Sequence, residues 1–362
     1  MTTIVLSAGG TGGHLFPAQS LAAELVRRGK TIVVMTDRRG TNYAKAFPGA
    51  AIETVPSAAF SDRSVLGLVS APFEIVAGIA TAFAKLTRLR PGAVIGFGGY
   101  PSLPVMIAAW LGRYPTAILE QNAVTGRANR AVMNKVSVIA AAFPIVRFAP
   151  KDASKIVLTG NPLRPDVVAL AGTPYDMPAD SGPLHLLVFG GSQGARVMAE
   201  IVPPAIGRLS ADLRKRLSVV QQARAEDADA VRSAYGELGV DVEIAPFFSD
   251  LPARMAAAQL VISRSGASTV AELSAIGRPA ILVPLPHALD QDQFENAGVL
   301  AESGGAIRIE QRDFTPERLA LEITTLFSDP VRLARMAEAA NGAGTTAAAD
   351  RLADLVLKVA RN

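Results

Sequence analysis

The sequence predicts an α/β protein made of two similar halves, each a parallel sheet covered by helices. Three observations carry this. A short apolar run, Ile4-Val-Leu-Ser7, leads into a glycine-rich turn, Gly9 to His14, and then into a helical pattern. The same order recurs at Leu184-His-Leu-Leu-Val-Phe189, Gly190-Gly-Ser-Gln-Gly194 and the stretch that follows. Short apolar runs alternating with helical stretches are the signature of buried parallel strands joined by crossover helices. Finally, 362 residues, 49% of them hydrophobic, exceed one ordinary domain and suffice for two cores.

In the first half a helix is expected from about Pro17 to Arg28, then a strand at Thr31 to Thr36 that ends in Asp37. Gly10 and Gly12 begin a dinucleotide fingerprint, but Leu15 stands where its last glycine belongs. Asp37 sits where a dehydrogenase keeps its ribose-binding acid, which leaves a nicotinamide enzyme as a rival reading; the plainer account is a turn residue. Residues 60–90 interleave Phe60, Val65, Leu66, Leu68, Val69, Phe73, Ile75, Val76, Ile79 and Phe83 with Arg63, Lys85, Arg88 and Arg90. That suits an amphipathic crossover helix, and equally an apolar patch with a basic rim for an anionic bilayer. Strands at Ala93 to Gly96 and Thr116 to Leu119 end in Gly96-Phe-Gly-Gly-Tyr-Pro-Ser102 and Glu120-Gln-Asn122, with a helix from Leu103 to Leu111 between them. A strand near Ser137 to Ala141 and the segment Lys155 to Leu158 complete this half. Three strand ends thus offer glycines or polar groups on one edge, as a binding cleft does. Thr159 to Pro165 is rich in Gly and Pro and reads as a connection.

The second half contains the most informative stretch, Leu260 to Asn296. A strand (Leu260 to Ser263) is broken by Ser265-Gly266, and a helix opens at Ala267 or Ser268 and stops at Gly277 and Pro279. A second strand, Ala280 to Val283, leads to His287 and Asp290-Gln-Asp-Gln293. The helix opening directs free backbone N–H groups at the strand ends, a place suited to phosphate. Glu272, just over one turn in, is placed to accept hydrogen bonds from a ribose diol; at this spacing a solvated helix glutamate is the plain alternative. Asp250 is the expected N-cap of a helix with Pro252 in its first turn. The tail from Val331 is helical and Ala-rich.

Composition narrows the classes. The absence of cysteine excludes disulfides and thiolate metal sites and fits a cytoplasmic protein. No signal peptide and no membrane-spanning run is expected. Residues 1–160 carry 17 Lys and Arg against 7 Asp and Glu, whereas the remainder carries 19 against 25. The basic half suggests an anionic partner: lipid headgroups, a diphosphate or nucleic acid. The scarcity of aromatics, 6% of residues, speaks against nucleic acid.

Seven motifs then occur in order: Gly9-Gly-Thr-Gly-Gly-His14, Gly96-Phe-Gly-Gly-Tyr100, Glu120-Gln-Asn122, Gly160-Asn-Pro-Leu-Arg164, Gly190-Gly-Ser-Gln-Gly-Ala195, Arg264 to Glu272, and Asp290…Gln293…Asn296. On these the chain resembles, over essentially its whole length, the MurG family. Its members are bacterial transferases that move N-acetylglucosamine from UDP-N-acetylglucosamine to lipid-linked muramoyl-pentapeptide in peptidoglycan synthesis, and so serve cell shape and division. The resemblance implies a GT-B fold: two Rossmann-like domains with parallel sheets facing a central cleft. Residues 1–162 would bind acceptor and membrane, 163–340 the UDP-sugar, and 341–362 would form a helix returning to the first domain. It implies peripheral attachment to the cytoplasmic face of the inner membrane, with other cell-wall synthesis enzymes as candidate partners.

Carried over by motif position, Thr11, Gly12, Gly13 and Asn122 would touch the donor sugar, and Arg164 and Ser192 the diphosphate. Phe248 would read the uracil through its backbone. Ala267, Ser268, Thr269, Val270 and Ala271 would present a helix N-terminus, with Glu272 on the ribose and Gln293 on sugar hydroxyls. Gly10, Gly98, Gly99 and Tyr100 would form loops for the acceptor diphosphate. Leu119 and Asp292 depart from the pattern, standing where relatives have His and Gln. The rivals are another glycolipid transferase, a UDP-sugar epimerase and a non-catalytic nucleotide-sugar or lipid binder. No cofactor and no metal is expected, although Asp227-Ala-Asp229 and Asp290-Gln-Asp292 have the D-x-D form. His14 is the expected general base, since its ordinary pKa suits proton transfer near neutrality; Glu120, at a neighbouring strand end, is the competitor.

Overall fold

The computed structural model describes residues 2–9, 12–37, 46–57, 65–191 and 194–361, without the side chains of 12 and 65–72. Two compact units result. Unit 1 comprises Met1–Arg164 and Thr346–Asn362, and unit 2 comprises Pro165–Thr345.

Unit 1 follows a strand-helix alternation: β1 (Thr3–Ser7), α1 (Gly12–Arg27), β2 (Thr31–Thr36), β3 (Ala51–Thr54), α2 (Val65–Leu89), β4 (Ala93–Gly96), α3 (Ser102–Leu111), β5 (Thr116–Glu120), α4 (Arg127–Val132), β6 (Val138–Ala141) and β7 (Ile156–Leu158). All pairings are parallel, in the order β3-β2-β1-β4-β5-β6-β7. Strands buried on both faces need apolar residues at every position, and β4 and β5 are buried throughout. The order reverses between β1 and β4. Crossovers there leave to opposite sides, so the loops after these two strands flank a crevice at the carboxyl edge.

The first helix differs from its expected limits. It begins at Gly12, not Pro17, and holds the proline inside. Pro17 removes one intrahelical hydrogen bond, to the Gly13 carbonyl. Leu15, Ala18, Leu21, Ala22 and Leu25, all buried, supply the packing that keeps the helix continuous. His14 therefore lies in the first turn of a helix rather than at the end of a loop.

Unit 2 contains α5 (Pro165–Leu170), β8 (Leu184–Phe189), α6 (Arg196–Gly207), α7 (Ala211–Arg216), β9 (Leu217–Gln222), α8 (Ala228–Glu237), β10 (Asp241–Ala245), α9 (Leu251–Ala257), β11 (Leu260–Ser263), α10 (Ala267–Ile276), β12 (Ala280–Leu282), α11 (Asp292–Glu302), β13 (Ala306–Arg308), α12 (Pro316–Phe327) and α13 (Pro330–Ala343). Its parallel sheet runs β10-β9-β8-β11-β12-β13, the same winding as in unit 1, with its own reversal between β8 and β11. Gly277 closes α10 in the left-handed conformation (φ 72°), where a side chain is strained. Asp250 stands at the start of α9, but its carboxylate does not cap the helix; Arg254 takes it at 2.8 Å instead.

The chain then returns to unit 1 as α14 (Ala348–Val359). Its apolar stripe, Leu352, Ala353 and Val356, is fully buried in the core that holds Ile4, Leu21 and Leu25. Burying a Leu or Val side chain is worth about 1.5–3 kcal/mol each. The ion pairs from Arg28 to Asp350 and Asp354 lie at the surface, where water screens them, so apolar packing is what holds the helix.

Candidate functional site

The crevice of unit 1 is built by glycine. Gly98 and Gly99, after β4, both adopt positive φ (80° and 73°). A Cβ on Gly98 would lie 3.4 Å from His14 Cε1, and one on Gly99 3.3 Å from His14 Cδ2. The β4 loop thus lies flat against the imidazole, and side chains at these two positions would displace it. Tyr100, 37% exposed, follows them, and Gly13 opens α1 at the surface. Gly10 and Thr11 fall outside the described residues, as does the side chain at Gly12.

His14 is half-buried, but its Nδ1 is sealed from solvent and makes no hydrogen bond of good geometry. Burial pushes the imidazole pKa below its ordinary 6.5; weaker pulls from the Phe97 backbone and the Gln121 side chain act the other way. The ring is therefore neutral at pH 7 and competent to accept a proton.

Glu120 ends β5 and is 2% exposed. Burial raises its pKa, opposed by hydrogen bonds that favour the carboxylate. Those bonds occupy both oxygens. Oε1 accepts from the Asn122 backbone at 3.0 Å and its side chain at 3.4 Å, and Oε2 from Gly126 N–H at 2.9 Å and Asn129 Nδ2 at 2.8 Å. Glu120 thus binds the 122–126 loop to α4, and Asn122 is turned back onto it. Two buried amides complete this edge: Gln121, within the strand-end motif, and Asn129, which the sequence did not single out. Gln121 Nε2 donates to the Phe97 carbonyl at 3.3 Å, and Asn129 Nδ2 also donates to Leu119 at 3.1 Å. A polar run closing an apolar strand is the signal that marks Gln121; Asn129, inside α4, has none. Arg164, which ends the first segment of unit 1, holds its guanidinium over the Phe16 ring, 5.2 Å from the centroid.

Unit 2 carries the second crevice. After β11, Gly266 gives α10 an uncapped start, and the first helical hydrogen bond from its turn is Val270 N–H to Gly266 C=O. The N–H groups of Ala267, Ser268 and Thr269 are thus the ones the helix leaves for an anion, in a half-buried turn. Val270 and Ala271 are buried in the core, so only their backbone faces this edge. Glu272 is 8% exposed, which removes the reading of a solvated helix glutamate. Gln293 is held at the same edge: Ser265 Oγ donates to its carbonyl at 2.7 Å, and its Oε1 accepts from Leu285 N–H at 3.1 Å. Arg264 is not directed at a ligand; it donates to the Val283 and Pro284 carbonyls and to Gln311 Oε1. In the glycine turn after β8, Gly190 abuts Ala195, where a Cβ would lie 2.2 Å from the Ala195 nitrogen. Ser192 lies outside the described residues. Phe248 is buried under Arg254, whose guanidinium sits 4.3 Å from the ring centroid.

The two D-x-D runs differ in setting. Asp229 pairs with Arg232 at 2.9 Å, while Asp292 accepts from Gln293 N–H at 2.7 Å and follows two residues of positive φ, Asp290 and Gln291. Among the described residues no group of three or more His, Asp or Glu is gathered as a metal cage.

Comparison with known proteins matches residues 4–140 to the glycosyltransferase family 28 N-terminal domain and residues 185–352 to the family 28 C-terminal domain. The UDP-N-acetylglucosamine--N-acetylmuramyl-(pentapeptide) pyrophosphoryl-undecaprenol N-acetylglucosamine transferase of Rhodopseudomonas palustris is 55% identical over 99% of this chain and 98% of its own. The enzyme of the same name from Nitrobacter hamburgensis is 52% identical over 100% and 99%. The crystal structure of Acinetobacter baumannii MurG superposes with a TM-score of 0.82 at 30% identity, covering 99% of this chain and all of that one. A UDP-GlcNAc 2-epimerase from Neisseria meningitidis, 14% identical with a TM-score of 0.67, shares the fold.

The Glu120 network makes a prediction of its own. In Glu120→Gln one oxygen becomes an N–H₂ group facing donors, so bonds to the 122–126 loop are lost and a buried group is left unpaired. The thermal midpoint should fall by several degrees, corresponding to roughly 1–3 kcal/mol. An unchanged midpoint by circular dichroism would remove the loop-binding role.

Proposed function

Because the chain belongs to glycosyltransferase family 28 and, within it, to the MurG enzymes, we propose that it moves N-acetylglucosamine from UDP-N-acetylglucosamine to undecaprenyl-diphosphate-linked N-acetylmuramoyl-pentapeptide, yielding the disaccharide lipid precursor of peptidoglycan. The observation that carries this is sequence identity above one half with transferases of that name along the whole chain. The epimerase and dehydrogenase readings are set aside on the same ground.

The chemistry assigned to the sites is as follows. The C4 hydroxyl of the muramoyl unit attacks the anomeric carbon of the donor from the side opposite UDP. A new C–O bond forms as the bond to the β-phosphate oxygen breaks; UDP departs with the electron pair, and the configuration inverts. The hydroxyl proton passes to the neutral imidazole of His14. His14 is preferred to Glu120 because both oxygens of that carboxylate are already occupied by N–H donors. In unit 2 the free N–H groups of α10 meet the phosphate, and Glu272 the ribose. Arg164, Ser192, Thr11, Asn122 and Gln293 keep the roles their motif positions imply.

Backbone N–H groups stabilise the leaving diphosphate without a metal. Turnover in excess chelator should equal that in its absence; a loss restored only by Mg²⁺ or Mn²⁺ overturns this.

The membrane half of the proposal rests on α2. Phe73, Val76 and Phe83 are 75%, 65% and 42% exposed, and with Ala77, Ala80 and Ala84 they form one exposed stripe at helical spacing. Its inner face, Ala82 and Leu86, packs on the sheet. A single helix thus serves both accounts left open by the sequence. Lys85 and Arg88 turn to Glu53 on β3, so the basic rim is partly neutralised, which corrects the view of them as free membrane contacts. Phe60 and Arg63 lie outside the described residues. No helix among the described residues is long and apolar enough to cross a membrane. The stripe supports peripheral attachment at the cytoplasmic face, where the acceptor's lipid would be reached. Replacing Phe73, Val76 and Phe83 together by Ser should leave the melting profile intact and reduce co-sedimentation with anionic vesicles severalfold; equal recovery would defeat the assignment.

The base is tested by His14→Ala, expected to lower kcat roughly 10²–10⁴-fold with UDP-N-acetylglucosamine affinity nearly intact. The pH profile adds a sign. A base must be unprotonated, and burial holds His14 below its ordinary 6.5, so kcat should decline on acidification with a midpoint below 6.5. A decline centred above 6.5, or near wild-type turnover in the variant, transfers the role elsewhere.

A further inference from the structure

Gln222 closes β9 with its side chain 6% exposed, and no motif of the chain includes it. Its amide uses three hydrogen-bonding positions on two different loops. Oε1 accepts from Gly190 N–H at 2.9 Å. Nε2 donates to the Gly191 carbonyl at 3.0 Å and to the Pro246 carbonyl at 3.0 Å. The first loop is the glycine turn after β8; the second, after β10, leads into Phe248. We propose that Gln222 is a positioning residue that joins the phosphate-facing turn and the base-facing loop of the nucleotide site into one preorganised receptor for a uridine diphosphate. The inference rests on the donor site assigned above and deepens it.

Geometry makes the turn dependent on such a clamp. Gly191 and Gly194 hold positive φ (86° and 68°), and Gly190 has no room for a Cβ. Among the described residues the turn closes on itself through Gly194 N–H to Gly191 C=O at 3.0 Å. That same carbonyl receives Gln222. Glycine gives the turn its shape but also the most conformations to lose, and each one lost on binding weakens the complex. A bidentate contact from the rigid end of a central strand removes that freedom before the nucleotide arrives. The loop at Pro246 has no ladder of its own beyond β10 and is held from the same point. Gln222 itself touches no reacting atom. It acts on ground-state binding, so its removal should appear in the donor's affinity, not in the chemical step.

Two variants test this. Gln222→Ala removes all three bonds. Gln222→Glu keeps the shape and the acceptor for Gly190 but removes both N–H donors and sets a charge against two carbonyls. Each is purified as the full chain, its folding checked by circular dichroism, and its binding of UDP and of UDP-N-acetylglucosamine measured by calorimetry. Dissociation constants for both ligands should rise roughly ten- to a hundredfold, with kcat at saturating donor within a few-fold of wild type and the KM for lipid acceptor unchanged. Wild-type donor affinity in both variants overturns the proposal. So does a parallel loss of donor and acceptor KM with a lowered melting point, or failure of both variants to fold, because each assigns the amide to the fold alone. If the wild-type protein binds neither UDP nor UDP-N-acetylglucosamine, it is the donor-site reading that fails.

Discussion

The close approach of two loops at the carboxyl edge of each sheet is the constraint on which the rest depends. A parallel sheet that reverses its winding leaves a crevice there, because neighbouring crossovers depart to opposite faces. The crevice is useful only if the loops on its rim come near enough to share a ligand. In unit 1 that requires Gly98 and Gly99 against the His14 ring; in unit 2 the Gln222 amide ties the turn at Gly190 and Gly191 to the loop at Pro246. The strands position these loops, and the core of each unit positions the strands. Even α14 serves this end, since Leu352 and Val356 fill the core that holds β1 beneath its turn.

The legible part of the sequence was that governed by local signals. Parallel strands buried on both faces leave uninterrupted apolar runs, so β2, β4 and β8 were expected at the limits observed. Gly277 and the start of α10 were legible because caps are local chemistry. Three things were not. The first turn of α1 was hidden because Pro17 is a reliable stop signal unless tertiary packing overrules it, as Leu15 and Leu21 do here. The Asp250 cap was misread because its competitor, Arg254, reaches it from one turn away. The buried amides Gln121, Asn129 and Gln222 join segments 10 to 32 residues apart in sequence, and no periodicity records such a partner. Glu120 shows the same limit. Its position at a strand end is visible in sequence, whereas the donors that turn it from a candidate base into a loop fastener are not.

The choice of amides has a consequence for how the site responds to pH. Burial acts on His14 and Glu120 in the direction of the neutral form, raising Glu120 and lowering His14. They differ in their hydrogen bonds: Glu120 accepts from four N–H donors, which oppose the effect of burial, while Nδ1 of His14 makes none of good geometry. The remaining clamps, Gln121 and Asn129 in unit 1 and Gln222 in unit 2, carry no titratable proton in the physiological range. The loop contacts made by these amides therefore do not depend on pH in that range, whereas those made by Glu120 do. Had carboxylates fastened the loops throughout, each would have required its own donors against desolvation, and acidification would have loosened every one of these contacts together.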